Sequence, residues 1–137
     1  MAERAHTFLY RMKLLFIREF EQRDEDAVVA LWRACGLVKP QNDPVMDIAR
    51  KREVDPDLFL VGEFSGAIAA SVMGGYEGHR GWINYLVVLL KYQGKGFGSE
   101  IMEAIENCLL RIPGARATIT LSAWANGLCR MTRIDGV

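Results

Sequence analysis

The clearest chemical signal is a run of eight residues, Tyr92-Gln93-Gly94-Lys95-Gly96-Phe97-Gly98-Ser99. Gly94, Gly96 and Gly98 alternate with larger residues, so backbone N–H groups along the run are left uncovered by side chains. An apolar stretch precedes it, and an amphipathic pattern opens near Phe97. A helix that starts there adds four N–H donors with no intrahelical partner and the positive end of its macrodipole. Such a loop suits an anion, most naturally a phosphate or pyrophosphate. Lys95 adds a positive charge to it.

The elements around the loop follow from pattern. Leu14 to Phe20 is rich in strand formers. Asp24 sits where a helix N-cap would, with Ala27, Val28, Leu31, Trp32 and Cys35 at helical spacing and Gly36 as the stop. Asp43 caps a second helix with Pro44 at its first position, and Val45, Ile48 and Ala49 give that helix an apolar side. Leu58 to Phe64 and Ala67 to Gly74 read as a hairpin across Ser65-Gly66. Residues 74 to 81 form a loop. Trp82 to Leu90 is nearly all apolar, as expected of a strand buried on both faces. The glycine run leads into a helix from Phe97 to Leu110, and Arg116 to Ala123 alternates as a half-buried strand. Residues 1 to 13 fit no element and read as an N-terminal extension; Trp124 to Val137 has no clear pattern. The order strand, two helices, three strands, helix, strand predicts an α/β (α+β) layer fold with one mixed sheet.

Composition narrows the partners. Lys+Arg and Asp+Glu are both 17, so the formal net charge is zero. A balanced chain lacks the broad basic face that nucleic acid or an anionic membrane surface demands. Three cysteines, Cys35, Cys108 and Cys129, are an odd number with no close pairing, as expected of reduced thiols. No Cys/His cluster has metal-ligand spacing, so no metal is expected. The longest apolar run is too short to span a bilayer, and no secretory leader is evident, so a cytoplasmic location is expected.

Three phosphate-loop templates compete for the glycine run. A Walker A loop needs Gly-Lys-Ser/Thr, but here Lys95 precedes Gly96 and Ser99 follows Gly98. A dinucleotide fingerprint needs Gly-x-Gly-x-x-Gly early in a βαβ unit, and this loop lies late in the chain with glycines two apart. The third template, Gln/Arg-x-x-Gly-x-Gly/Ala, is matched by Gln93, Gly96 and Gly98. Here the chain resembles the GCN5-related N-acetyltransferases, and the order of elements agrees with that family from Leu14 to about Gly114. Asn42-Asp43-Pro44, Asp47-Ile48, Leu58 to Val61 and Met73 to Gly81 look like a small bacterial branch of the family whose substrates are poorly defined.

The resemblance implies an acetyltransferase domain over residues 14–123. It would move an acetyl group from acetyl-CoA to an amine of a small molecule or protein. Gln93, Gly94, Lys95, Gly96, Phe97, Gly98 and Ser99 would take the pyrophosphate. Leu86, Val87 and Val88, on a fourth strand that splays from the fifth, would hold pantetheine through free backbone groups. For proton transfer the nearby candidates are Glu77, His79, Asn84 and Tyr85. Glu77 is expected to remove the amine proton through water and Tyr85 to orient. Trp32 and Trp82 are expected in the core or the cleft wall.

Two departures from the family pattern stand out. Leu89-Leu90 replaces the usual polar residue and proline. After the fifth strand the family continues with a helix bearing a tyrosine that often protonates the thiolate, then two more strands. Here residues 124–137 form a divergent tail without a tyrosine, as expected of a truncated or frame-shifted end. A sheet left open in this way favours dimerisation, and a CoA-binding module without turnover, or a dimeric structural remnant, is the alternative reading.

Overall fold

A computed structural model describes residues 14–76 and 81–112, together with the backbone of four short strands between 119 and 134. The first strand, β1, is Phe16–Glu19; helices α1 (Glu25–Ala34) and α2 (Pro44–Val54) follow. Strands β2 (Phe59–Phe64), β3 (Ala67–Tyr76) and β4 (Gly81–Val88) come next, then α3 (Phe97–Leu110). Beyond α3 lie β5 (Ile119–Leu121), β6 (Trp124–Ala125), β7 (Leu128–Cys129) and β8 (Arg133–Ile134). The main sheet has the order β1-β2-β3-β4-β5-β8, and β6 pairs with β7 separately. β1 to β4 run antiparallel in sequence, whereas β4 and β5 are parallel.

The sheet separates two apolar clusters. Phe59, Val61, Met73 and Val87 point to one face, where Val28, Leu31 and Trp32 of α1 and Ile48 of α2 cover them. Leu60, Ala70, Val72, Ile83 and Val88 point to the other, under Phe97, Ile101, Ile105 and Leu109 of α3. Burial on both faces explains why β3 and β4 read as continuous apolar runs.

Local signals placed most boundaries. Asp43 accepts from the amides of Val45 (3.0 Å) and Met46 (3.3 Å), with Pro44 in the first turn of α2. Ser65 and Gly66, with φ of 54° and 79°, make the hairpin turn between β2 and β3. Three readings are corrected. Asp24 places no side-chain cap on α1; its buried carboxylate instead accepts from Arg18 (2.7 and 2.8 Å) and from the Glu21 amide (2.8 Å). Ala27, Val45 and Ala49 are exposed, so α2 buries only Pro44 and Ile48 and turns Asp47 inward instead. β3 also extends to Tyr76 and β4 begins at Gly81, so both ends of the expected loop belong to strands, and residues 77–80 lie outside the described residues.

Cys35 is buried and Cys108 half-buried, both as free thiols, and burial pushes both thiols up. Among the described residues no helix is long and apolar enough to cross a membrane, and no group of three His, Cys, Asp or Glu could hold a metal ion. The tail contributes two-residue strands, and no helix follows α3 among the described residues.

Candidate functional site

The glycine loop lies where β4 hands over to α3. The amide of Leu89 donates to the Ala69 carbonyl (2.8 Å), and a single tight turn at Leu90–Tyr92 follows. The apolar pair that departs from the family pattern is accommodated here. Leu89 packs against the cluster under α1, and Leu90 is exposed. Tyr92 and Phe97 flank the loop and meet Phe64 of β2 at 4.9 and 5.0 Å between ring centroids, which anchors both ends.

Within the loop, Gly94 and Gly96 both have φ of 86°, a left-handed conformation that costs an L side chain about 1–2 kcal/mol. A Cβ on either would meet nothing within 4 Å, so both face open space. Gly96 precedes α3, and the amides of Phe97, Gly98 and Ser99 belong to its first turn, where no i−4 carbonyl is available. Lys95 is exposed between the two left-handed glycines. Glu100 is the acidic residue of that turn, and its carboxylate is drawn aside by the Leu15 amide (3.3 Å). The surface is bare, amide-rich and positive, as an anion requires.

Gln93 is exposed, and its Nε2 donates back to the Val88 carbonyl (3.0 Å), which closes the turn. The Cys35 thiol lies 3.7 Å from the same carbonyl.

β4 supplies the second half of the site. Its ladder with β5 joins Gly81, Trp82 and Ile83 to Ile119, Thr120 and Leu121. The described part of β5 ends at Leu121, opposite Ile83, and β6 (Trp124–Ala125) lies in contact with β4. On the other side Asn84 pairs with Met73 and Val87 with Ser71. Tyr85 and Leu86 therefore stand against Val72 alone, which is a β-bulge. Tyr85 occupies the bulge with φ of 53°.

The Tyr85 side chain reaches across the face under α1 and α2. Its ring stacks on Trp32 at 4.0 Å and 17°. Its hydroxyl donates to Asp47 Oδ2 (2.6 Å), and Asn42 Nδ2 lies 3.4 Å from it. Burial, then the bond to Asp47 and its negative charge, push the phenol up to about 12. Tyr85 is thus neutral at ordinary pH, with its hydroxyl proton directed to Asp47. Nearby, Lys51 of α2 donates to the Gly74 carbonyl and pairs with Asp55 (3.4 Å), while burial lowers its ammonium. Trp82 packs over Gly75, where a Cβ would come within 2.6 Å of the indole Nε1.

The fold thus brings Leu86, Val87, Val88 and the residues from Gly94 to Ser99 to one end of the sheet. Tyr85 sits beside them on the α1/α2 face. Glu77 and His79 lie outside the described residues. Sequence reasoning missed Ser71, although a lone hydroxyl in the apolar run Ala69-Ala70-Ser71-Val72-Met73 was a signal.

A family model described as the acetyltransferase (GNAT) family matches residues 10–131. An acetyltransferase of Yersinia enterocolitica, YE1169, is 51% identical over 94 residues, 69% of this chain and 67% of that protein. Among solved structures, Ard1 from Thermoplasma volcanium aligns with a TM-score of 0.63 at 22% identity over 80% of this chain and 71% of its own. The diaminobutyrate acetyltransferase EctA from Paenibacillus lautus, in complex with L-2,4-diaminobutyric acid and coenzyme A, aligns with a TM-score of 0.64 at 18% identity. That alignment covers 78% of this chain and 64% of EctA. At these identities the two structures show a shared fold.

Proposed function

Because the chain belongs to the acetyltransferase (GNAT) family, in a branch with bacterial relatives, we propose that it transfers an acetyl group from acetyl-CoA to a primary amine. The observation that carries this reading is the loop itself. Two left-handed glycines and the first turn of α3 expose amides to open space, directly after the buried strand β4. The loop would hold the pyrophosphate through the amides of Gly94 to Ser99, with Lys95 adding charge. The backbone of Leu86 to Val88 would align pantetheine and the thioester carbonyl.

Acetyl-CoA supplies the acyl group as a thioester. The amine nitrogen forms a bond to the carbonyl carbon, the C–S bond breaks, one amine proton departs and the thiolate gains one. Much of the rate comes from holding the two reactants in line. Glu77 is our candidate to take the amine proton through water, and Tyr85 to orient the cleft on the acceptor side. EctA acts on an amine, so an amine acceptor is compatible with this fold.

A second reading, a module that binds CoA without turnover, is favoured by the absence of tyrosine from residues 93–137. Calorimetry with CoA, beside acetyl-CoA turnover against a panel of small amines and peptide N-termini, separates the two. Binding with turnover supports the enzyme, and binding without it supports the module. No binding at millimolar CoA would falsify both.

A further inference from the structure

Tyr85 pays a backbone cost to sit where it does. A bulky residue with φ of 53° costs about 1–3 kcal/mol and persists only where its surroundings over-determine it. Three elements do so here. From β3, the Ser71 hydroxyl donates to the Tyr85 carbonyl (3.1 Å). From α1, Trp32 Nε1 donates to the same Ser71 oxygen (2.9 Å), while the indole stacks on the Tyr85 ring. From α2, Asp47 accepts from the Tyr85 hydroxyl (2.6 Å). Ser71 and Trp32 are fully buried. The one proton and an acceptor position of Ser71 are both in use, so the hydroxyl is the hinge pin of the network.

The bulge decides which way the following residues face. A one-residue change of register sends every later side chain, with its backbone groups, to the opposite side of the sheet. With the bulge in place, Val87 packs under α1 and Val88 under α3. Their backbone groups are thereby set along the end of β4 that runs into the glycine loop. We propose that Ser71, Trp32 and Asp47 are positioning residues that lock the Tyr85 bulge and so aim the backbone of Leu86 to Val88 at the pantetheine arm. This rests on the acetyl-CoA reading above. It assigns a function to a buried polar network that a purely apolar core would not need. An alanine at position 71 would leave the Trp32 N–H and the Tyr85 carbonyl without their partner, and the least costly relief is rotation of the Tyr85 peptide.

The test uses the full chain and two probes. One is CoA; the other is adenosine 3′-phosphate 5′-diphosphate, which keeps the phosphates and lacks pantetheine. Ser71→Ala is expected to weaken CoA binding about tenfold, the scale of one unsatisfied buried group, and to leave the fragment within about twofold. Ser71→Thr keeps the hydroxyl and is expected to restore CoA binding. Trp32→Phe should weaken CoA in the same direction. Combined with Ser71→Ala it should add nothing further, because the indole N–H acts through that hydroxyl. Should Ser71→Ala not fold, Trp32→Phe carries the same comparison. Equal weakening of both probes, or no weakening of either, overturns the proposal. So does a wild-type chain that binds CoA no better than the fragment, which would leave the phosphate site standing. A wild-type chain that binds neither probe removes the acetyl-CoA reading and this inference together.

Discussion

A single guanidinium ties the first strand to its neighbours. Arg18 donates from Nη1 and Nη2 to both carboxylate oxygens of Asp24 and from Nε to Glu63 (2.8 Å). The Arg18 and Asp24 side chains are 14% and 5% exposed, so the pair is shielded from solvent. The hydrogen bonds from Arg18 hold the Asp24 carboxyl below its ordinary value against the opposing effect of burial. A carboxyl depressed by folding adds stability above its unfolded pKa, and that stability fades as pH falls through the folded value. Asp24→Asn is therefore expected to cost about 1–3 kcal/mol near neutral pH, where it removes one of the guanidinium's two carboxylate partners and leaves Glu63 as the other. The gap from wild type should close as pH drops below about 4. Urea unfolding of both proteins across that range measures it, and a gap independent of pH would refute the assignment. The sequence offered Asp24 as a helix cap because its position beside Glu25 and Asp26 fits that local rule. Its actual partner lies on β1, and no local spacing encodes that contact.

Elements whose ends are set by local chemistry were legible, and those shaped by their neighbours were not. Asp43-Pro44 starts α2, Ser65-Gly66 turns the hairpin, and Gly96 precedes α3, each through its own backbone preference. The bulge in β4 is different. Nothing in Asn84-Tyr85-Leu86-Val87 marks Tyr85 as left-handed, because Ser71 and Trp32 impose it from two other elements. The loop before α3 supplies the prediction proper to this scale. Gly96→Ala meets no neighbouring atom but must hold φ near 86°, so a stability loss of about 1–2 kcal/mol is expected. On our reading, the added methyl also stands where a phosphate approaches the α3 amides. CoA affinity should therefore fall by more than the stability loss explains. Thermal melts and calorimetry on the same variant separate the two effects, and unchanged CoA affinity would count against the loop as the phosphate site.

On the scale of the whole molecule, β4 is shared by both halves of the core. Its Ile83 and Val88 belong to the cluster under α3, and its Val87 to the cluster under α1 and α2. A ligand lying along the end of β4 with its phosphates on α3 would therefore brace both clusters at once. β1 lies at the far edge of the sheet, with Phe16 exposed, and would gain nothing directly. Binding to the folded state alone stabilises by mass action, about 2.7 kcal/mol at a free concentration one hundred times the dissociation constant. Saturating CoA should raise the melting temperature accordingly. It should also slow amide hydrogen exchange at Leu86 to Val88 and Gly94 to Ser99, while exchange at Phe16 to Glu19 changes only as far as global unfolding governs it. Protection spread evenly over all the strands would mean that CoA stabilises the fold without lying along β4. Protection confined to the loop would place the phosphates on α3 and leave pantetheine unheld by the strand.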